Sequence, residues 1–286
     1  MGSLGGVRLK RNRSSKRVMV FSKLHTSFIC FISFAGALLP AQVNDNKGRQ
    51  LVDQAVQALG GDNFLHMRNR MASGRVYAFF HDQMSGLDLA TIYTEYLDTK
   101  PANGLAVRER ELLGKKQDYS YLFLPDQGWD ITYRGARPVD DERWDRYKRS
   151  TENDILYLMR ARLSEPGLEF DYVGSDVNVS AHVEVVEITD AKGQTIRVLF
   201  DHNTKLPLRA TFKWLDPETH QHNDETTSMD KYRDIGGGIK WPLVVERERN
   251  GYKAYQIFAA KVEANVPVPA KTFDLPPGAK VLKKVD

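Results

Sequence analysis

The stretch VEVVEITDAKGQTIRVLFDHNTKLPLRATFKWLDPETHQHNDETTSMDKYRDIGGGIKWPLVVERERNGYKAYQIFAAKVEANV, residues 183–266, decides the fold. It contains short runs rich in Val, Ile, Thr, Tyr and Phe. Between them stand AKG, HNTK, a polar insert at 216–224, GGG and NG. β-branched and aromatic runs separated by Gly, Asn and Asp read as strands joined by turns. Asn250-Gly251 is the clearest turn, because both central positions of a type I′ turn need positive φ and this pair tolerates it. The stretch predicts an antiparallel meander of about six strands.

Upstream of it, Leu51, Val52, Ala55, Val56 and Leu59 fall at helical spacing over residues 46–59, and Gly60-Gly61 stops the helix. Residues 71–80, 87–97, 105–113, 119–124 and 129–133 then read as five strands. In the second, Leu89, Tyr93 and Leu97 alternate with Ala90, Ile92 and Tyr96, so neither face is purely polar. A strand with one wet face is polar on that side. Here one face is expected to pack on a core and the other to line a sheltered space or meet a helix.

Residues 138–163 break the β pattern. The charged run DDERWDRYKRS is helix-compatible and reads as a solvated face. After it, Ile155, Leu158, Met159 and Leu163 share one stripe of a second, amphipathic helix. Pro166-Gly167 ends that helix, and residues 168–173 return to strand. Five strands, one more and about six in the meander make eleven or twelve. A twisted open sheet of that size curls or splits. The predicted fold is mainly β with α: a large curled antiparallel sheet, an unclosed barrel, with helices over its concave face. A β-sandwich is the alternative.

Residues 1–41 carry seven Lys and Arg and no acid, followed by an apolar run at 27–40 and the small residue Ala41. This is the pattern of a cleaved secretory signal, and the run is shorter than the roughly 20 apolar residues of a membrane span. The whole chain has 41 basic and 37 acidic residues; without those seven the balance is 34 against 37, or −3. The basic excess therefore belongs to the leader, and nucleic acid is not an expected partner. The single cysteine, Cys30, also lies in the leader, which excludes disulfides and Cys-held metals from residues 42–286. Those residues are expected to form one domain, a monomer in the periplasm.

No catalytic motif stands out. There is no Gly-x-Ser-x-Gly elbow, P-loop or dinucleotide fingerprint, and Gly236-Gly237-Gly238 lies between β runs as a turn. His220-x-His222 lacks a third ligand fixed by spacing and reads as a solvated loop. No metal, cofactor or catalytic residue is expected.

The order of elements resembles the LolA-like family, exported lipoprotein carriers of Gram-negative bacteria and their relatives. The matching pieces are the leader, the first helix ending ALGG, VLFDHNTKLPLRATF, MDKYRDIGGGIKWPLVVE and the tail FDLPPGA. The most specific piece is the span from Asp201 to Pro207, followed by Tyr232-Arg233-Asp234 and Trp241-Pro242. The resemblance implies an unclosed barrel with a helical lid that binds acyl chains or a lipoprotein. Its alternative is an envelope scaffold whose groove takes an inner- or outer-membrane partner.

Burying one CH₂ is worth about 0.8 kcal/mol, so a chain of about sixteen carbons gains on the order of 10 kcal/mol before ordering costs. A sheltered apolar surface suffices for that. The expected groove and lid residues are Phe79, Tyr93, Leu122, Leu124, Trp129, Ile155, Leu158, Met159, Phe212 and Trp214. Each of these also fits ordinary core packing.

Overall fold

The computed structural model describes residues 41–98, 104–178 and 181–284. Apart from Ala41, the expected signal segment with Cys30 lies outside the described residues. The chain forms α1 (Ala41–Leu59), α2 (Asp62–Leu65), β1 (Asn69–Phe80), β2 (Gln83–Tyr96), β3 (Val107–Leu113), β4 (Tyr119–Phe123), β5 (Gly128–Thr132) and β6 (Gly135–Pro138). Next come α3 (Asp141–Glu152) and α4 (Ile155–Tyr157), the latter continued by a π-helical turn, Leu158–Arg162. The second block of strands is β7 (Glu169–Asn178), β8 (Ala181–Thr189), β9 (Thr195–Asp201), β10 (Pro207–Leu215), β11 (His222–Asp234), β12 (Lys240–Arg249) and β13 (Tyr252–Ala264).

These strands make one sheet in the order β6-β5-β4-β3-β2-β1-β13-β12-β11-β10-β9-β8-β7. Two meanders thus meet where β1 pairs with β13. The sheet stays open, with β6 and β7 at its edges. The predicted curled antiparallel sheet with helices is what forms, with thirteen strands in place of eleven or twelve. The additional strand is β6, four residues ending in proline, too short to show an alternation. Asn250 and Gly251 have φ of 52° and 78° and join β12 to β13, as a type I′ turn requires.

The inner face of β8–β10 is filled by α1. Leu51, Val52, Ala55, Val56 and Leu59 pack with Val186, Ile188, Val198 and Phe200 in one buried cluster. Gly48 permits this approach, since a Cβ there would stand 2.3 Å from the carbonyl oxygen of Phe170 on β7.

Residues 154–163 do not form one amphipathic helix. Asp154 caps α4, its carboxylate accepting from the backbone N–H groups of Leu156 and Tyr157 at 2.9 and 3.0 Å. The five residues from Ile155 to Met159 are all buried. The stripe has no wet side because Leu156 and Tyr157 add apolar surface on its flank, and a helix apolar all round belongs in a core. The wider π turn carries Arg162 inward, where it pairs with Glu165 at 2.8 Å and Asp190 at 3.0 Å.

The outer face of β3–β6 is covered by the C-terminal tail. Val268, Phe273, Leu275 and Ala279 pack on Leu122, Ile131 and Ala136. Beyond them the Ala136 N–H donates to Lys280 O at 2.9 Å and Leu282 N–H donates to Ala136 O at 2.8 Å. The tail thereby shields the β6 edge, which otherwise presents unpaired backbone groups. It also accounts for Tyr93 of β2, which packs in the cluster beneath the tail.

Candidate ligand cavity

Where β1–β4 face β11–β13 on the inner side, a cavity of about 890 Å³ remains. That lies toward the upper end of the roughly 300–1,000 Å³ typical of small-molecule sites. Strand register sets its floor. Val76 pairs with Ile257, Ala72 with Ile92, and Met229 with Val245, so these apolar side chains share the inward face. Trp241 and Leu156 line the same space.

Its roof is α3. Arg143, Arg146, Tyr147, Ser150 and Thr151 line the cavity at spacings that put them on one face of a helix. Asp140 starts α3, accepting from the Arg143 N–H at 2.7 Å. No residue of α3 is fully buried. It is held instead by rings and cations. Tyr147 stacks on Phe123, Arg143 lies 4.6 Å from the Tyr121 ring centroid, and Arg149 lies 3.5 Å from that of Trp214. Glu225 of β11 accepts from Ser150 Oγ at 3.2 Å and from Arg149 at 3.4 Å. The charged run that reads as a solvated face therefore has one side turned into the cavity.

A polar belt lies between floor and roof. Glu109 accepts from Thr94 Oγ1 at 2.7 Å and stands 3.8 Å from the Arg70 guanidinium. Glu111, two residues on and on the same face, has its pKa raised well above the usual carboxylate range. Burial is the main cause, and the neighbouring Glu109 adds to it against the pull of Arg247 and Arg143. Burial also keeps the Tyr147 and Tyr255 hydroxyls protonated far beyond the ordinary phenol range. The belt supplies hydrogen bonds and cations above an apolar floor, which is the chemistry of holding an amphiphile. Among the described residues, no three His, Cys, Asp or Glu side chains gather to hold a metal.

Of the ten residues expected from sequence, Phe79 lines this cavity. Tyr93, Leu122, Leu124 and Trp129 lie together on the outer face under the tail. Ile155, Leu158, Met159 and Phe212 are buried in the main core, and Trp214 packs against it beneath Arg149. The sequence reading missed Arg143, Arg146 and Tyr147 on α3, and Glu109, Glu111 and Arg247 on the strands. The only signal for the α3 set was its helical spacing, and a polar stripe at that spacing ordinarily faces water.

No protein-family model matches the sequence, and no curated protein matches it significantly. Solved structures do match. A domain designated as an outer membrane lipoprotein-sorting protein from Vibrio parahaemolyticus aligns at 11% identity over 81% of this chain and 97% of its own, with a TM-score of 0.54. A DUF1329 family protein from Desulfovibrio piger aligns at 12% identity over 81% and 97%, with a TM-score of 0.55. A LolA superfamily protein from Nitrosomonas europaea aligns at 12% identity over 79% and 96%, with a TM-score of 0.45. With its open thirteen-stranded sheet, inner helices and matching solved folds, the chain has a LolA-like fold.

Proposed function

We propose that this protein is a periplasmic carrier that holds the acyl part of a lipid or lipoprotein in the cavity beneath α3 and does so without catalysis. The observation that carries this reading is the cavity of about 890 Å³, apolar on its floor and roofed by a helix with no fully buried residue. A helix docked by a few ring and cation–ring contacts and by two bonds to Glu225 opens more readily than one with a fully buried apolar face. Release for handover needs that property. The basic and then apolar leader supports export, and no helix among the described residues is long and apolar enough to cross a membrane.

Native mass spectrometry of protein isolated from the periplasm tests the reading. Co-purifying lipid, displaced by added fatty acid, is the expected result. Protein that is consistently empty and unresponsive to added lipid would overturn it.

A membrane-protein partner is the second reading. It is favoured by the exposed apolar side chains of Phe80, Met84 and Leu87 near the β1–β2 turn, with Phe80 and Leu87 also lining the cavity. A stable envelope partner recovered by crosslinking, and lost in Phe80→Ser, would support it over the carrier.

A further inference from the structure

A lid over bare hydrocarbon should be apolar on its inner side, because a polar group pressed against methylene loses its hydration without a partner. The inner side of α3 is polar, with Arg143 and Arg146 among its cavity-lining residues, and Arg247 of β12 lines the same space. These three guanidiniums have weak acid partners. Arg143 stands 4.0 Å from Asp140, Arg247 stands 4.0 Å from Asp154, and Arg146 lies 3.4 Å from Glu142, whose side chain is 81% exposed. Long or solvent-screened pairs contribute little and yield to a better acceptor.

The acids of the facing wall do not cancel this charge. Glu109 is engaged by Arg70 and Thr94. Glu111, which faces Arg143 and Arg247, holds its proton more firmly than an ordinary carboxyl because it is buried beside Glu109. Of the other acids that line the cavity, Glu225 is engaged by Arg149 and Arg249, Glu248 by Arg209, and Asp88 is exposed.

Resting on the carrier reading above, we propose that the cavity takes a single-chain amphiphile with an anionic head group, phosphate or carboxylate. Arg143, Arg146 and Arg247 hold the head under α3 while the hydrocarbon lies along the floor. Guanidinium forks match either oxyanion with paired N–H donors, and such charge-assisted bonds are roughly twice as strong as neutral ones.

The test is equilibrium titration of the purified protein with palmitate, hexadecyl phosphate, hexadecanol and inorganic phosphate, followed by displacement of an uncharged fluorescent probe. The two anionic amphiphiles should bind about tenfold or more tighter than hexadecanol. That preference should shrink as salt is raised. Arg143→Gln/Arg146→Gln should lose most of the preference, read as the ratio of anion to hexadecanol affinity within the variant. Arg247→Gln serves the same comparison if the double variant melts early.

Equal affinity for all three amphiphiles overturns the head-group site and leaves the carrier reading standing. A preference unchanged in the arginine variants places the anion elsewhere and also overturns it. Inorganic phosphate competing as strongly as hexadecyl phosphate would mark a free-anion site instead. If no amphiphile binds, this inference and the carrier reading fail together.

Discussion

The Tyr147 ring of α3 lies flat on the Phe123 ring of β4, with centroids 3.7 Å apart and planes 7° from parallel. This stack is the main apolar attachment of the roof to the sheet. Tyr147 is half-buried and packs against the main core, so Tyr147→Ala should cost about 1.5–3 kcal/mol of stability. Ligand exchange should also become faster. Stopped-flow release of a bound fluorescent fatty acid checks this, and an unchanged off-rate with lowered global stability would show that α3 is structural and not a lid.

Leu158 distinguishes core from lining. It is 1% exposed within the main cluster, while Leu156 two residues earlier lines the cavity. Leu158→Ala is expected to cost about 2–5 kcal/mol through the cavity it leaves, and Leu158→Glu to prevent folding. Denaturant melts measure the first and far-ultraviolet circular dichroism the second. A folded Leu158→Glu protein with impaired ligand uptake would contradict the burial described here.

Glu184 gives an acid-side signature. Tyr172, Ser175 and His202 all contact its carboxylate, with Ser175 Oγ at 2.9 Å and His202 Nδ1 at 2.7 Å. Burial alone would raise its pKa, but these hydrogen bonds outweigh burial and hold it at about 2. A folded pKa below the unfolded value of about 4.3 means that the unfolded chain takes up the proton first. The stabilisation is therefore complete above about pH 4.3 and disappears as pH falls toward 2. At most about 3 kcal/mol is at stake. The stability difference between the parent and Glu184→Gln, taken from urea midpoints from pH 6 down to pH 3, should narrow as pH falls.

Phe273 anchors the tail to the outer face, 7% exposed in a cluster with Leu122, Ile131 and Ala136, with the Arg108 guanidinium 4.6 Å from its ring centroid. Phe273→Ala should cost about 3–5 kcal/mol and increase binding of a hydrophobic dye. Amphiphile affinity per folded molecule should stay unchanged, because the cavity lies on the other face. A large loss of affinity would couple the two faces.

Gly48 separates propensity from packing. In an exposed helix interior Gly→Ala stabilises by about 1 kcal/mol. Here the added Cβ would meet the Phe170 carbonyl oxygen at 2.3 Å, so Gly48→Ala should instead destabilise, by about 1–3 kcal/mol. Thermal melting decides the sign.

Residues 183–266 were readable from sequence because strand chemistry is local. Alternating Val, Ile, Thr and Tyr, and turns such as Asn250-Gly251, carry their geometry in adjacent residues. The first helix, most strands and the open curled sheet followed from the same local signals and from strand number. The face to which each strand turns its apolar residues was not local. Tyr93, Leu122 and Trp129 have the same composition as a groove wall, yet they face outward, where the tail at residues 268–279, distant in sequence, covers them. The cavity-lining side of α3 was hidden for the converse reason. Helical spacing at Arg143, Arg146, Tyr147 and Ser150 specifies a stripe, and only the tertiary fold determines that this polar stripe lines a cavity. Sequence periodicity fixes which side chains share a face, whereas what covers that face depends on contacts between distant segments.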